Sequence, residues 1–210
     1  PVKSNDFKDI KRNNPKHGYL WGISNDQLSK LDYKDSKRIF MIPMALDTNF
    51  IKPIKNPKRD YLAYLGRLNY DKGIDLAVKL SLITGEKLKI AGVVRDQEED
   101  AKLLFKEKVE PFLGKNIEFI GPINDQQKSK FLGNAKALLM LNRWDEPFGL
   151  TMAEALSTGT PVIGTNKGSI PEIVRNGENG FLCESIEEMI EAVKNLNTID
   201  SSNCRQTALK

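Results

Sequence analysis

Histidine is nearly absent from this 210-residue chain: His17 is the single one, and cysteine is limited to Cys183 and Cys204. No Cys-x-x-Cys spacing occurs, which argues against a zinc site built from these ligand types. Two isolated thiols suit a reducing compartment rather than a disulfide framework. No apolar run approaches the ~20 residues that span a bilayer. The opening residues are polar and basic, so no signal peptide is expected ahead of the fold. Two short patterns are missing as well. Without Gly-x-Gly-x-x-Gly after a strand, a dehydrogenase-type dinucleotide site has no support. No Asp-x-Asp occurs either.

What remains is the composition of a globular protein with a core, 40% apolar and 29% charged. The net charge of +4 is spread along the chain and interleaved with acid. Nucleic-acid binding, which needs a concentrated basic stripe with aromatics, is not expected. The excess could draw in an anionic substrate, rest on an anionic membrane face, or simply be a solvated lysine-rich surface.

Pro1–Pro15 is poor in apolar residues and reads as a lead-in. Tyr19–Ile23 and Arg38–Ile42 are short strand candidates, and Pro43, Pro53 and Pro57 punctuate a linker. From Tyr61 the pattern becomes regular. Strands are expected at Tyr61–Leu65, Leu88–Ala91, Ile117–Ile120, Ala137–Leu141, Pro161–Ile163 and Gly180–Leu182. Helices are expected from Asp71, over Gln97–Val109, Asp125–Leu132, Leu150–Ser157, Ile170–Val174 and Ile186–Leu196. Short apolar strands alternating with helices predict an α/β fold, a Rossmann-like doubly wound parallel sheet. The expected division is residues 1–38 as linker or remnant of a preceding domain, 39–200 as the Rossmann-like domain, and 201–210 as a tail. Ligands of such sheets sit beyond the carboxyl ends of the strands.

Three loops fall there. The first, Gly66–Gly73, offers Gly66 for a tight backbone turn and two cations, Arg67 and Lys72, able to grip a diphosphate. It reads equally as a surface Arg and Lys flanking a helix capped by Asp71. The second, Asp145–Leu156, joins a buried strand to a helix. Gly149 leaves room for a ligand, and the amides near Gly149, Leu150 and Thr151 form an anion site at a helix N-terminus. Glu154, a turn further on, suits a vicinal diol such as a ribose. Glu146 stands ahead of the helix, where a transferred group would be held. The third, Gly164–Glu172, offers small residues and backbone donors, or merely a turn and a cap.

Taken in order, Gly66-Arg67-Leu68 with Lys72-Gly73, Glu146-Pro-Phe-Gly-Leu150 with Glu154, Gly159-Thr-Pro-Val162, Gly168–Glu172 and Gly177–Phe181 resemble glycosyltransferase family 4. Gly22-Ile-Ser24 is similar to a serine-bearing strand near the end of that family's N-terminal domain. Met44-Ala-Leu-Asp47 stands where the family more often has Asn-Gly-Val-Asp. The resemblance implies the C-terminal half of a GT-B fold, which binds a nucleotide diphosphate sugar, facing an N-terminal domain that binds the acceptor and is largely absent here. It implies that Arg67 and Lys72 contact the diphosphate, that Glu154 binds the ribose and that Glu146 contacts the donor sugar. Leu150 and Thr151 would donate backbone N–H groups to phosphate. Glu146, Arg67 and Lys72 would then be the catalytic groups of a retaining transfer. With no Asp-x-Asp, a metal-independent reaction with no cofactor is expected, the nucleotide sugar being a substrate. The acceptor would be a glycan, a lipid or a small molecule. The expected setting is cytoplasmic with room for peripheral membrane contact. The chain alone is expected to bind donor without transferring. Other readings are a GT-B enzyme of different activity, such as an epimerase or a phosphorylase, and a non-catalytic nucleotide- or partner-binding module.

Overall fold

The computed structural model describes residues 19–30, 39–95, 97–114 and 116–210. The Pro1–Pro15 lead-in, His17 and Arg38 lie outside them. The chain first forms a small parallel pair, β1 (Leu20–Gly22) and β2 (Ile39–Met41), with helix α1 (Asn25–Ser29) between them. Residues 43–60 then carry the chain to a six-stranded parallel sheet. Its strands are β3 (Tyr61–Arg67), β4 (Leu88–Val93), β5 (Ile117–Gly121), β6 (Ala135–Met140), β7 (Val162–Thr165) and β8 (Gly180–Cys183). The helices that follow α1 are α2 (Ile74–Thr84), α3 (Glu99–Lys108), α4 (Asp125–Gly133), α5 (Leu150–Ser157), α6 (Ile170–Ile173), α7 (Ile186–Lys194) and α8 (Ser201–Ala208).

Strand order is β5-β4-β3-β6-β7-β8. The chain starts in the middle at β3, steps outward to β4 and β5, then returns to the other side of β3 at β6. That return makes a switch point between β3 and β6, where connections leave to opposite sides and a crevice opens at the carboxyl edge. Successive residues of each strand point to opposite faces. Leu62, Tyr64 and Leu139 accordingly join Ile74, Leu80 and Met189 in one core. Ala63, Leu138 and Met140 join Leu132, Met152, Leu156 and Ile170 in the other. Both faces of the central strands are therefore covered, which is why Tyr61–Tyr64 and Ala137–Met140 read as unbroken apolar runs.

Local chemistry sets the helix ends. Ser185 caps α7 by accepting from the Glu188 amide at 3.2 Å. Asn124 and Gln127 close a reciprocal capping box on α4. Several expectations shift. The helix expected from Asp71 begins at Ile74, because Gly73 takes the capping position. The last expected helix stops at Lys194, and a 3-10 turn, Leu196–Thr198, follows. Residues 201–210, set apart above as a tail, instead contribute α8, capped by Asp200, with Cys204 fully buried against the second core. Arg205 of α8 donates to the carbonyls of Ser157 at 2.7 Å and Thr48 at 2.9 Å, tying the linker to α5.

Candidate functional site

The switch point brings together the loops after β3 and β6. Gly66 does not turn there: it is still within β3, and the space its side chain would take is open. Gly66, Lys72, Asn142 and Thr151 line one small hollow. Lys72 reaches across the crevice, and its Nζ pairs with Glu146 Oε2. The same ammonium lies 4.9 Å from the centre of the Trp144 ring, a cation–π distance. Asn142 Nδ2 donates to Glu146 Oε2 at 2.7 Å. Glu146 is 8% exposed, and both donors fall on the same oxygen of its carboxylate.

Behind Glu146, the Ser169 amide donates to its carbonyl at 2.8 Å. Gly168, at φ +57°, lies against the Glu146 backbone, where any Cβ would collide with main-chain atoms. The third loop is therefore the back wall that sets the position of Glu146. Its Glu172 faces elsewhere, accepting from the amides of Asn25 at 2.9 Å and Asp26 at 2.7 Å at the start of α1. Lys30, after α1, bonds Asp145 at 2.8 Å. That bond holds the Asp145 carboxyl below its ordinary range.

On the other side, Gly149 caps α5 in a left-handed conformation that brings the chain round into the helix, and the space its side chain would take is filled by Met152 and Glu146 instead of being left for a ligand. The first backbone bond of that turn is Met152 N to Gly149 O, at 2.8 Å. The amides of Leu150 and Thr151 precede it and face the end of the helix, where the dipole is positive. Glu154 lies in the same helix, 4% exposed. Burial pushes its carboxyl up, partly offset by the ammonium of Lys128 at 2.7 Å.

Arg67 is the predicted residue that stands apart. Its guanidinium lies 3.7 Å from Glu98, which also bonds Arg95. The structure thus joins Lys72 to Glu146, lines the hollow with Gly66 and Thr151, and does not bring Arg67 into that lining. Asn142, Trp144 and Lys128 were not singled out by the sequence. Asn142 directly follows the buried run Ala137–Leu141, a polar residue at a strand's carboxyl end, and that signal could have found it. Arg143 fixes the crevice from outside: its guanidinium forks onto Asp75 at 2.8 and 2.7 Å, and its amide donates to the Asp71 carbonyl at 2.8 Å. Among the described residues, no group of three or more His, Cys, Asp or Glu could hold a metal ion.

A sequence profile described as glycosyl transferases group 1 matches residues 47–207. The chain belongs to that family. It is 27% identical over 173 residues to an uncharacterized 42.6 kDa Klebsiella pneumoniae protein, covering 80% of this chain and 43% of that protein. It is 26% identical over 172 residues to mannosylfructose-phosphate synthase of Agrobacterium fabrum, covering 72% and 38%. The chain thus spans about two fifths of the length of these curated relatives. In fold it is similar to an Anabaena protein solved with UDP and glucose, at TM-score 0.84 and 16% identity, covering 98% of this chain and 62% of that one. It is also similar to the C-terminal domain of a glycosyl transferase group 1 family protein from Francisella tularensis, at TM-score 0.63 and 24% identity, covering 78% and 93%. The fold is that of the C-terminal, Rossmann-like half of GT-B glycosyltransferases. No helix among the described residues is long and apolar enough to cross a membrane.

Proposed function

We propose that this chain is the donor-binding domain of a retaining glycosyltransferase of family 4, taking a sugar from a nucleotide diphosphate sugar to an acceptor. The observation that carries this is the half-buried Lys72–Glu146 pair at the switch point, where Lys72 lines the same hollow as Thr151 of the first turn of α5. Breaking the glycosyl bond leaves negative charge on the diphosphate. Lys72, the Leu150 and Thr151 amides and the dipole of α5 would stabilise that charge as it develops. An ammonium has three donors; among the described residues Glu146 accepts one, which leaves the others for phosphate oxygens. Arg67 would add its charge by releasing Glu98.

Glu146 is bound by Lys72 and Asn142, which suits a group that orients the donor sugar rather than a nucleophile. The leaving diphosphate would then take the acceptor proton on the same face, retaining the anomeric configuration. Glu154 would accept from the ribose hydroxyls. Neither a metal nor a cofactor is needed in this scheme, because fixed cations do the charge work. An acceptor-binding domain would complete catalysis, so the chain alone would bind donor without transferring. The acceptor would be a glycan, a lipid or a small molecule, met in the cytoplasm or at a membrane face. That the Anabaena neighbour was solved with UDP and glucose supports a nucleotide sugar as the ligand class.

Calorimetric titration with UDP-, GDP- and ADP-sugars, repeated on Glu154→Ala and Arg67→Ala, tests the reading. One donor should bind, and both variants should weaken it. Equal affinity in all three proteins would refute the site.

A further inference from the structure

Glu154 is poorly placed to stay ionised by itself. It sits in the second turn of α5, with 5% of its side chain exposed, beside the buried Met152, Ala155 and Leu156. A carboxylate taken out of water favours its neutral form, and burial is the largest influence on this one. A single cation answers it. Lys128 Nζ, on the neighbouring α4, bonds Glu154 Oε1 at 2.7 Å and Asp125 Oδ1 at 2.8 Å. Among the described residues nothing donates to Glu154 Oε2.

Lys128 is held in place by its own helix. The capping box at Asn124 fixes the start of α4. The Thr160 hydroxyl donates to the Leu132 carbonyl at 2.8 Å near its end. Ser129 donates to the Phe50 carbonyl at 3.3 Å on its flank. The other elements packed on α5 bring charge elsewhere: Arg205 of α8 is engaged at Ser157, and Lys136 of β6 is held by Glu86. Lys128 and Asp125 are therefore the charged groups that act on Glu154.

We infer that Lys128 is a positioning residue for the ribose subsite: it pins one oxygen of Glu154 as a carboxylate and leaves the other to accept from the vicinal diol of the nucleotide. This rests on the donor-site reading above. A neutral carboxyl would present one donor and fewer lone pairs to two hydroxyl donors, so losing Lys128 should cost affinity only through the ribose. Asp125, 73% exposed, keeps Lys128 charged and reaching across from α4 without covering Glu154.

The test uses the full chain and whichever of UDP, GDP or ADP it binds, together with the 2′,3′-dideoxy form of that diphosphate. Lys128→Met should weaken the ribose form about tenfold and leave the dideoxy form unchanged, while Lys128→Arg should restore most of the difference. Carbon-13 titration of the Glu154 carboxyl should show its midpoint move upward in Lys128→Met. Lys128→Gln is the second variant should the methionine destabilise the fold. Equal weakening of both diphosphates, or an unmoved Glu154 midpoint, would overturn the inference and leave Lys128 as a general phosphate attractor. A wild type that binds both forms equally would instead remove the role of Glu154, and one that binds no diphosphate would remove the donor site itself; either outcome overturns the inference too.

Discussion

Lys72 and Glu146 lie 74 positions apart in sequence and meet as an ion pair in the crevice between β3 and β6. The pair sets opposite expectations for its two members. Lys72→Met removes a charge-assisted contact to phosphate and should weaken nucleoside diphosphate binding about 10- to 100-fold, the equivalent of ~1.5–3 kcal/mol. Glu146→Gln frees Lys72 for phosphate. It should bind the bare diphosphate at least as tightly as wild type while losing any preference for the sugar-bearing form. Calorimetry on both ligands separates the two outcomes.

Gly168 fixes Glu146 from behind. Its φ of +57° and the Glu146 backbone against it leave no room for a methyl group. Gly168→Ala should destabilise the chain by about 2 kcal/mol or more, a combination of left-handed strain and collision. Urea unfolding would show a lower midpoint with an unchanged slope. An unchanged midpoint would mean that the third loop moves freely and does not set the position of Glu146.

Glu172 caps α1 from the six-stranded domain, accepting from two amides of that helix. Glu172→Ala should accelerate hydrogen exchange at the Asn25 and Asp26 amides roughly fivefold or more, matching the ~1 kcal/mol of a lost cap. Exchange in β3 and β6 should stay as in wild type, since the Glu172 side chain is exposed and belongs to neither core.

Glu154 links the site to pH. Burial raises its carboxyl above the ordinary value, so the folded chain holds this proton more tightly than the unfolded chain. Its contribution to stability is full below the unfolded carboxyl range and declines as pH rises through the higher folded value. Glu154→Gln cannot ionise and escapes that decline. The stability of this variant relative to wild type should therefore increase between pH 4 and pH 7, even as nucleotide binding falls. Parallel denaturant melts at the two pH values would show it. A relative stability that decreases over that interval would mean Lys128 outweighs burial.

These contacts differ in how far sequence alone exposes them. The strands from Tyr61, Leu88 and Ala137 are legible because a strand covered on both faces must be apolar without a break. Leu150–Ser157 is legible at both ends, between Gly149 and Gly159. Helix α8 is not, because it buries Cys204 among Ser, Asn, Arg, Gln and Thr and so has no apolar stripe. Glu146 and Glu154 stand out through their place around a strand–helix junction. Lys128 has no such cue: its significance comes from α4 packing beside α5, which no local pattern encodes. Arg67 shows the converse. Its position near Lys72 suggests a shared target, yet its guanidinium pairs with Glu98, thirty-one positions on in the sequence, and does not line the hollow.

The fork between Arg143 and Asp75 joins the loop after β6 to the first turn of α2, while the Arg143 amide holds the loop after β3. Three segments of the crevice wall are therefore locked before anything enters it. An incoming molecule need not freeze these segments and so avoids the ordering entropy that a floppy pocket would impose. Association should then follow a single fast phase, with little structural lag between encounter and seating.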